Sequence, residues 1–117
     1  MIIKRFEDII AWQKAQDLAI ILYKAFANIR DYSFKVQILR AVVSISNNIA
    51  EGFERNTDTD FSRFLFIAKG SCSEVKSMLY LSKKLDYINN EQAEEFINKC
   101  TELSKIISGL IKSIKKQ

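Results

Sequence analysis

Histidine is absent from this chain of 117 residues. Its absence removes the most common general base, the usual partner of a serine or cysteine nucleophile, and the histidine ligands of haem and di-iron bundles. Pairs of carboxylates that could reach one metal ion lie at predicted helix ends, where acidic residues are expected as caps. The one Gly-Ser pair, Gly70-Ser71, lacks the lysine that follows in a phosphate-binding loop. We therefore expect a protein that is not an enzyme and that carries no cofactor or metal.

Proline is also absent, and glycine occurs only 3 times, whereas a sheet protein with many tight turns needs more of both. The two cysteines, Cys72 and Cys100, fall inside apolar helical patterns, which favours reduced core residues over a disulfide or a metal site. No uncharged apolar run reaches the roughly 18 residues that a membrane span needs. The charged N-terminus does not fit a signal peptide. These absences predict a cytoplasmic protein with no membrane partner.

The net charge of +4 is unevenly placed. Residues 1–98 carry 13 basic and 13 acidic side chains, so all of the excess positive charge lies in the last 19 residues. The lysines in this segment can be interpreted in two ways. They compensate the negative end of a helix dipole, or they form a patch that contacts phosphates. A net charge of this size is modest for a dedicated nucleic-acid binder, so charge alone favours the first.

Four helical segments are predicted, at about residues 7–29, 34–53, 58–85 and from 90 onward, because apolar residues recur at steps of three and four. Ser33, Thr57 or Asp58, and Asn90 are the expected N-caps. Gly52 and the polar run after it mark the second turn. Long helices with links of about five residues fold up and down in alternation. We predict a single all-α domain, residues 1–117, forming an antiparallel up-down-up-down four-helix bundle.

The fourth segment has the most regular pattern. Its apolar residues occupy the a and d positions of a heptad repeat: Ala93, Phe96, Cys100, Leu103, Ile107, Leu110 and Ile114. Such a repeat is typical of helices that pack nearly parallel to their neighbours, as in four-helix bundles.

Three helices are apolar around more of their circumference than one core stripe requires. The segments are residues 19–22 in the first helix, 64–68 in the third, and 106–107 with 110–111 in the fourth. Scattered surface hydrophobes are common, but monomers rarely expose contiguous apolar patches, so a subunit interface is the favoured explanation. Gly70, in the middle of the third helix, indicates a close helix approach there. The residues predicted for the subunit interface are Ile20, Ile21, Phe64, Phe66 and Ile67.

A stripe of polar residues runs along the second helix. We call the following residues the polar stripe: Gln37, Ser44, Asn47, Asn48 and Glu51, with Arg40 and Arg55 between and beyond them. Serine and asparagine are poor residues for a helix interior because they compete for backbone hydrogen bonds. The stripe is either a solvated face or a recognition surface, and the sequence does not decide between the two.

Three blocks of sequence resemble a known family. The run QILRAVVSISNNIAEG, residues 37–52, resembles the signature Q-x-x-R-A-x-x-S-I-x-x-N-I-A-E-G of four-helix-bundle proteins encoded in intervening sequences of bacterial 23S rRNA genes. Residues 6–15 are similar to its opening F-x-D-L-x-x-W-x-x-A, and residues 61–75 to its F-x-R-F-L-x-I-A-x-G-S-x-x-E-L. The blocks keep the family order, although the proline often found before the second helix is missing.

The resemblance carries expectations about assembly and binding. The family is similar in fold to the accessory protein of diversity-generating retroelements, whose positively charged homopentamers bind nucleic acid and a reverse transcriptase. The resemblance therefore implies a pentameric ring. It also strengthens the interpretation of the excess positive charge as a contact with RNA or DNA. The expected phosphate contacts are Arg40, Arg55, Arg63, Lys69, Lys112, Lys115 and Lys116.

Two alternatives accompany this expectation, and the first, an enzyme built on a helix bundle, requires a metal site made from carboxylates alone. The chain could instead be a scaffold that presents the polar stripe to a partner protein, with no direct role for nucleic acid. No combination of aromatic and basic residues that would stack single-stranded bases is visible in the sequence.

Overall fold

The computed structural model describes residues 3–115 and contains four α-helices. They are α1 (Ile10–Ala25), α2 (Tyr32–Glu54), α3 (Asp58–Lys84) and α4 (Asn90–Lys115), and a 3₁₀ turn at Phe6–Asp8 precedes α1. Within the described range there are no strands, which confirms the all-α class. Each helix packs against the next along the chain, and α4 also packs against α1, so that α1 and α3 are diagonal. The arrangement is that of a four-helix bundle, 45 Å long and about half as wide.

The start of α2 differs from the sequence prediction. Asp31, and not Ser33, is the N-cap, because its Oδ1 accepts a hydrogen bond from the Phe34 amide at 3.2 Å. The helix therefore begins two residues earlier than expected. The prediction for α3 is confirmed, since the Thr57 hydroxyl accepts from the Asp60 amide at 3.1 Å.

The cap of α4 is Asn89, so the prediction of Asn90 is wrong. The Asn89 side chain accepts from the Gln92 amide at 2.7 Å, and the Gln92 side chain accepts from the Asn89 amide at 3.0 Å. This reciprocal pair is a capping box, which satisfies two backbone donors at once.

The first helix is shorter than predicted at both ends. Ile9 has extended backbone angles, φ −75° and ψ 120°, which separate the 3₁₀ turn from α1. The Ile9 side chain is buried, so the residue that interrupts the helix packs into the core. At the other end the helix stops at Ala25, and residues through Ile29 belong to the link.

The core follows the predicted apolar stripes. In α2, Ile38, Val42, Ile45 and Ile49 are fully buried, as their spacing predicts. In α4 the predicted heptad residues are buried, including Ile114, except for Leu110, which is half-buried beside a buried Ile111. A straight helix has 3.6 residues per turn, so a stripe with a period of 3.5 drifts until a neighbouring residue takes over. No helix within residues 3–115 has the length and apolar character to cross a bilayer.

Gly52 lies inside α2 and does not mark the turn. A Cβ atom at this position would lie 2.5 Å from the Cβ of Phe64 and 3.3 Å from the Phe61 ring. The left-handed residue after α2 is Asn56, at φ 67°. Gly52 is therefore a packing residue at which α2 and α3 approach each other closely.

Candidate nucleic-acid interface

Lysines from two helices line a groove between α3 and α4. On α3, Lys69 and Lys76 are two helical turns apart, and so are Lys105 and Lys112 on α4. A separation of two turns places both side chains of each pair on the same helix face. The groove has a volume of about 510 Å³, and we call it the lysine groove.

The lysine groove is uncompensated by acidic groups. None of the residues that line it is acidic, and among the described residues none of its four lysines forms a salt bridge. Its remaining polar lining is neutral, with hydroxyls from Ser73, Thr101, Ser104 and Ser108. Like charges that share one groove repel one another, and an anion placed among them would relieve the repulsion. The groove is thus suited to phosphate groups.

The two cysteines form the floor of the lysine groove. Both are buried free thiols, as the sequence predicts, and the Cys72 Sγ donates a hydrogen bond to the Cys100 carbonyl oxygen at 3.2 Å. Contact with the Cys72 thiol, together with burial, raises the pKa of the Cys100 thiol. Within residues 3–115 no cluster of three acidic or thiol side chains is placed to hold a metal ion.

Arg55 and Arg63 are engaged within the chain. Their guanidinium carbons lie 4.9 Å and 5.6 Å from the centroid of the Phe64 ring. Each also pairs with an acid, Arg55 with Glu51 at 3.0 Å and Arg63 with Asp60 at 3.2 Å. Each of these two charges therefore has an acidic partner, whereas the four groove lysines have none among the described residues.

Two residues of the polar stripe donate hydrogen bonds to backbone carbonyls of α2. The Ser44 hydroxyl donates a hydrogen bond to the Ala41 carbonyl at 2.8 Å, and the side-chain amide of Asn48 donates one to the Ser44 carbonyl at 2.7 Å. The other predicted members of the stripe, Gln37, Asn47 and Glu51, are exposed, as is Arg40. Arg40 lines shallow grooves on this outer face and lies apart from the lysine groove.

Of the seven predicted phosphate contacts, the structure brings two together in the lysine groove, Lys69 and Lys112. Lys115 lies one turn beyond Lys112, with its Nζ 5.2 Å from the centroid of the Phe66 ring. Lys116 lies outside the described residues. Sequence reasoning missed Lys76 and Lys105, although the seven-residue spacing of each from a predicted residue was a signal that could have found them.

The residues predicted for a subunit interface separate into different places. Ile20 on α1 is 53% exposed, and Ile67 on α3 is 47% exposed. Because α1 and α3 are diagonal in the bundle, these side chains belong to two outer faces and not to one patch. Ile21 is half-buried against the core, and Phe64 is buried inside the chain against Gly52. Phe66 is half-exposed beside Lys115.

The packing of Gly52 joins two of the sequence blocks. Gly52 ends the block N-I-A-E-G, and Phe61 and Phe64 belong to the block F-x-R-F-L. Because the two phenylalanines lie where a Cβ of residue 52 would be, the blocks depend on each other for the junction of α2 with α3.

Comparisons with known proteins agree with this architecture. Residues 7–109 match the model of a family described as 23S rRNA-intervening sequence protein. A crystal structure of a protein of unknown function from the S23 ribosomal protein family of Bacteroides thetaiotaomicron is similar, with a TM-score of 0.81 and 28% sequence identity over 88% of this chain and 96% of that chain. No curated protein sequence matches the chain. Since the family match covers nearly the whole bundle and the sequence blocks within it, the chain belongs to the 23S rRNA-intervening sequence protein family.

Proposed function

We propose that the chain is a non-enzymatic, homo-oligomeric protein that binds RNA or DNA through phosphate groups, with the lysine groove as the contact. The observation that carries the proposal is the convergence of four lysines from two helices with no acidic residue among the groove lining. Phosphate contacts of this kind give affinity without sequence information, so we expect binding with little sequence preference.

A ring of subunits would strengthen a modest contact. Five copies, the number that the family resemblance implies, would present five lysine grooves to one nucleic-acid chain. Linked sites convert later contacts into intramolecular ones, so weak binding per groove adds up to a tight complex. The exposed residues Ile20 and Ile67 support such an assembly, because two different apolar faces on opposite sides of one subunit favour head-to-tail contacts that close into a ring.

The test is a titration of a fluorescently labelled RNA oligonucleotide followed by anisotropy over a series of salt concentrations. Each phosphate neutralised on a single strand lowers the log–log salt slope by about 0.7, so one groove with four lysines gives a slope of about −3. The variant with Lys69, Lys76, Lys105 and Lys112 replaced by glutamine is expected to lose most of this slope and at least about tenfold in affinity.

The matched control removes the same charge elsewhere. It replaces four exposed lysines outside the lysine groove by glutamine: Lys4, Lys24, Lys83 and Lys84. We expect this variant to bind nearly as the wild type does. Equal losses in both variants would assign binding to overall charge and not to the groove, and a wild type that binds no RNA or DNA would reject the function.

A protein scaffold is the second candidate, supported by the exposure of Gln37, Arg40 and Asn47 along α2. Arg40 forms no salt bridge with the described residues, so its charge is available to an acidic partner. This function predicts a complex with one defined protein that survives nuclease treatment and is weakened by Arg40→Ala, while the four-lysine variant leaves it intact.

A further inference from the structure

An aromatic side chain lies at one end of the lysine groove. Phe66 precedes Lys69 by about one turn of α3, so both project from the same helix face. Its ring is 50% exposed. Lys115 reaches across from α4, with its Nζ 5.2 Å from the ring centroid. Phe66 and Lys115 therefore continue the line of groove residues toward the C-terminal end of α4.

The bundle core does not account for a phenylalanine at this position. The core face of α3 is formed by Phe61, Leu65, Ala68 and Cys72, while Phe66 is absent from the buried cluster. An exposed aromatic ring retains unfavourable contact with water, which a polar residue at the same position would avoid. The ring lies one helical turn from the groove residue Lys69, so a strand that extends past this end of the groove would meet it.

An exposed ring beside basic side chains recognises unpaired bases. Successive bases of a single strand stack on aromatic faces while the phosphates between them contact lysines. In a duplex the bases are paired and stacked internally, so they do not reach such a ring. We propose that Phe66, together with Lys115, is a base-stacking platform at the end of the lysine groove and that the protein prefers single-stranded nucleic acid over duplex.

This inference rests on the proposed function and adds a ligand class to it. The lysines act on phosphates, which both single strands and duplexes possess, and so they do not discriminate between them. Phe66 is the discriminating residue. Removing the ring should therefore reduce binding of single strands alone, without changing the number of phosphates contacted.

The experiment compares Phe66→Leu and Phe66→Tyr with the wild type. Each protein is titrated with a single-stranded RNA that contains 2-aminopurine and with a blunt duplex of the same sequence, and anisotropy and 2-aminopurine fluorescence are recorded. For Phe66→Leu we expect a loss of about tenfold in single-strand affinity, loss of the fluorescence change that accompanies stacking, and an unchanged salt slope. Its duplex affinity should stay at the wild-type level. Phe66→Tyr, which keeps an aromatic face, should retain single-strand binding.

The outcomes separate the two proposals. A wild type that binds neither ligand rejects the proposed function and the stacking platform with it. Lysine-dependent binding that is equal for both ligands and unaffected by Phe66→Leu keeps the proposed function and overturns the platform. The mass of Phe66→Leu in light scattering provides a further check, since a fall would place Phe66 in the subunit contact and overturn its role in stacking.

Discussion

At the scale of single residues, Gly52 is the one of the three glycines that has no room for a side chain. The neighbour that a Cβ atom would meet is the Cβ of Phe64, which is fixed to the α3 backbone and cannot swing away. Gly52→Ala is therefore an overpacking change, although alanine is intrinsically the better helix former. We expect it to lower the free energy of unfolding by about 1–3 kcal/mol, measured by urea denaturation.

Gly109→Ala is the matched control for this prediction. Gly109 lies within α4, is exposed, and has no neighbouring atom within 4 Å of a built Cβ. At this position no steric clash offsets the higher helix propensity of alanine. We expect Gly109→Ala to raise the free energy of unfolding by up to about 1 kcal/mol. Stabilisation by both substitutions would show that α2 and α3 are not in close contact at Gly52.

At the scale of helices and links, Asp31 connects the start of α2 to the link between α3 and α4. Its carboxylate caps α2 and also accepts a hydrogen bond from the Tyr87 hydroxyl at 2.7 Å. The Tyr87 ring packs edge-on against Phe34, with 5.2 Å between centroids. The hydrogen bond from Tyr87, followed by that from the Phe34 amide, lowers the pKa of Asp31 below its ordinary value of 3.8.

The sign of this pKa shift predicts how stability depends on pH. The folded-state pKa lies below that of the unfolded chain, so the stabilisation is present above pH 3.8 and is lost as the pH falls through the folded-state value. Asp31→Asn keeps a capping side chain but removes the titration. We expect its melting temperature to fall less steeply than that of the wild type between about pH 4 and about pH 2.

Tyr87→Phe separates the two hydrogen bonds of Asp31. It keeps the ring near Phe34 but removes the hydroxyl donor, so the acid dependence should be intermediate between those of wild type and Asp31→Asn. Identical melting curves for all three proteins across this pH range would contradict a role for Asp31 in acid stability.

The contact between Asp31 and Tyr87 shows why the sequence predicts the presence of a helix more reliably than the residue at which the helix begins. The four helices follow from apolar spacing, which is a local property of the sequence. Asp31 and Ser33 both carry oxygens suited to an N-cap, and the hydrogen bond from Tyr87 holds the first of them in place. Tyr87 is 56 residues away, so no local pattern reveals it. The cap at Asn89 is different, because Gln92 three residues later is a local signal of a capping box that could have been recognised.

The lysine groove was predictable only in part for a related reason. Helical spacing shows that Lys69 and Lys76 share one face, as do Lys105 and Lys112. Whether the two faces meet depends on how α3 and α4 rotate about their axes when they pack. Their shared core, which includes the contact between Cys72 and Cys100, sets that rotation. The phosphate contacts expected from the sequence therefore included Lys69 and Lys112 but missed Lys76 and Lys105.

At the scale of the whole molecule, the two exposed apolar faces predict an assembly. We expect light scattering behind size exclusion to give a mass of about five times 13.5 kDa, five being the number of copies that the family resemblance implies. Ile20→Glu and Ile67→Glu should each lower it, because a charge without a partner is costly in a buried contact. Ile10→Glu changes an α1 residue that is 55% exposed and is the control expected to keep the full mass.

Mixing the two variants distinguishes a ring from a symmetric dimer. In a head-to-tail contact, Ile20 of one copy meets Ile67 of the next, so Ile20→Glu keeps an intact Ile67 face and Ile67→Glu keeps an intact Ile20 face. An equimolar mixture should then form heterodimers through one unmodified contact, but no ring, because the remaining faces both carry a glutamate. If the contact were two-fold, with the same face used on both copies, the mixture would contain only the oligomers that each variant forms alone. Heterodimers in the mixture would thus support head-to-tail closure, and their absence would exclude it.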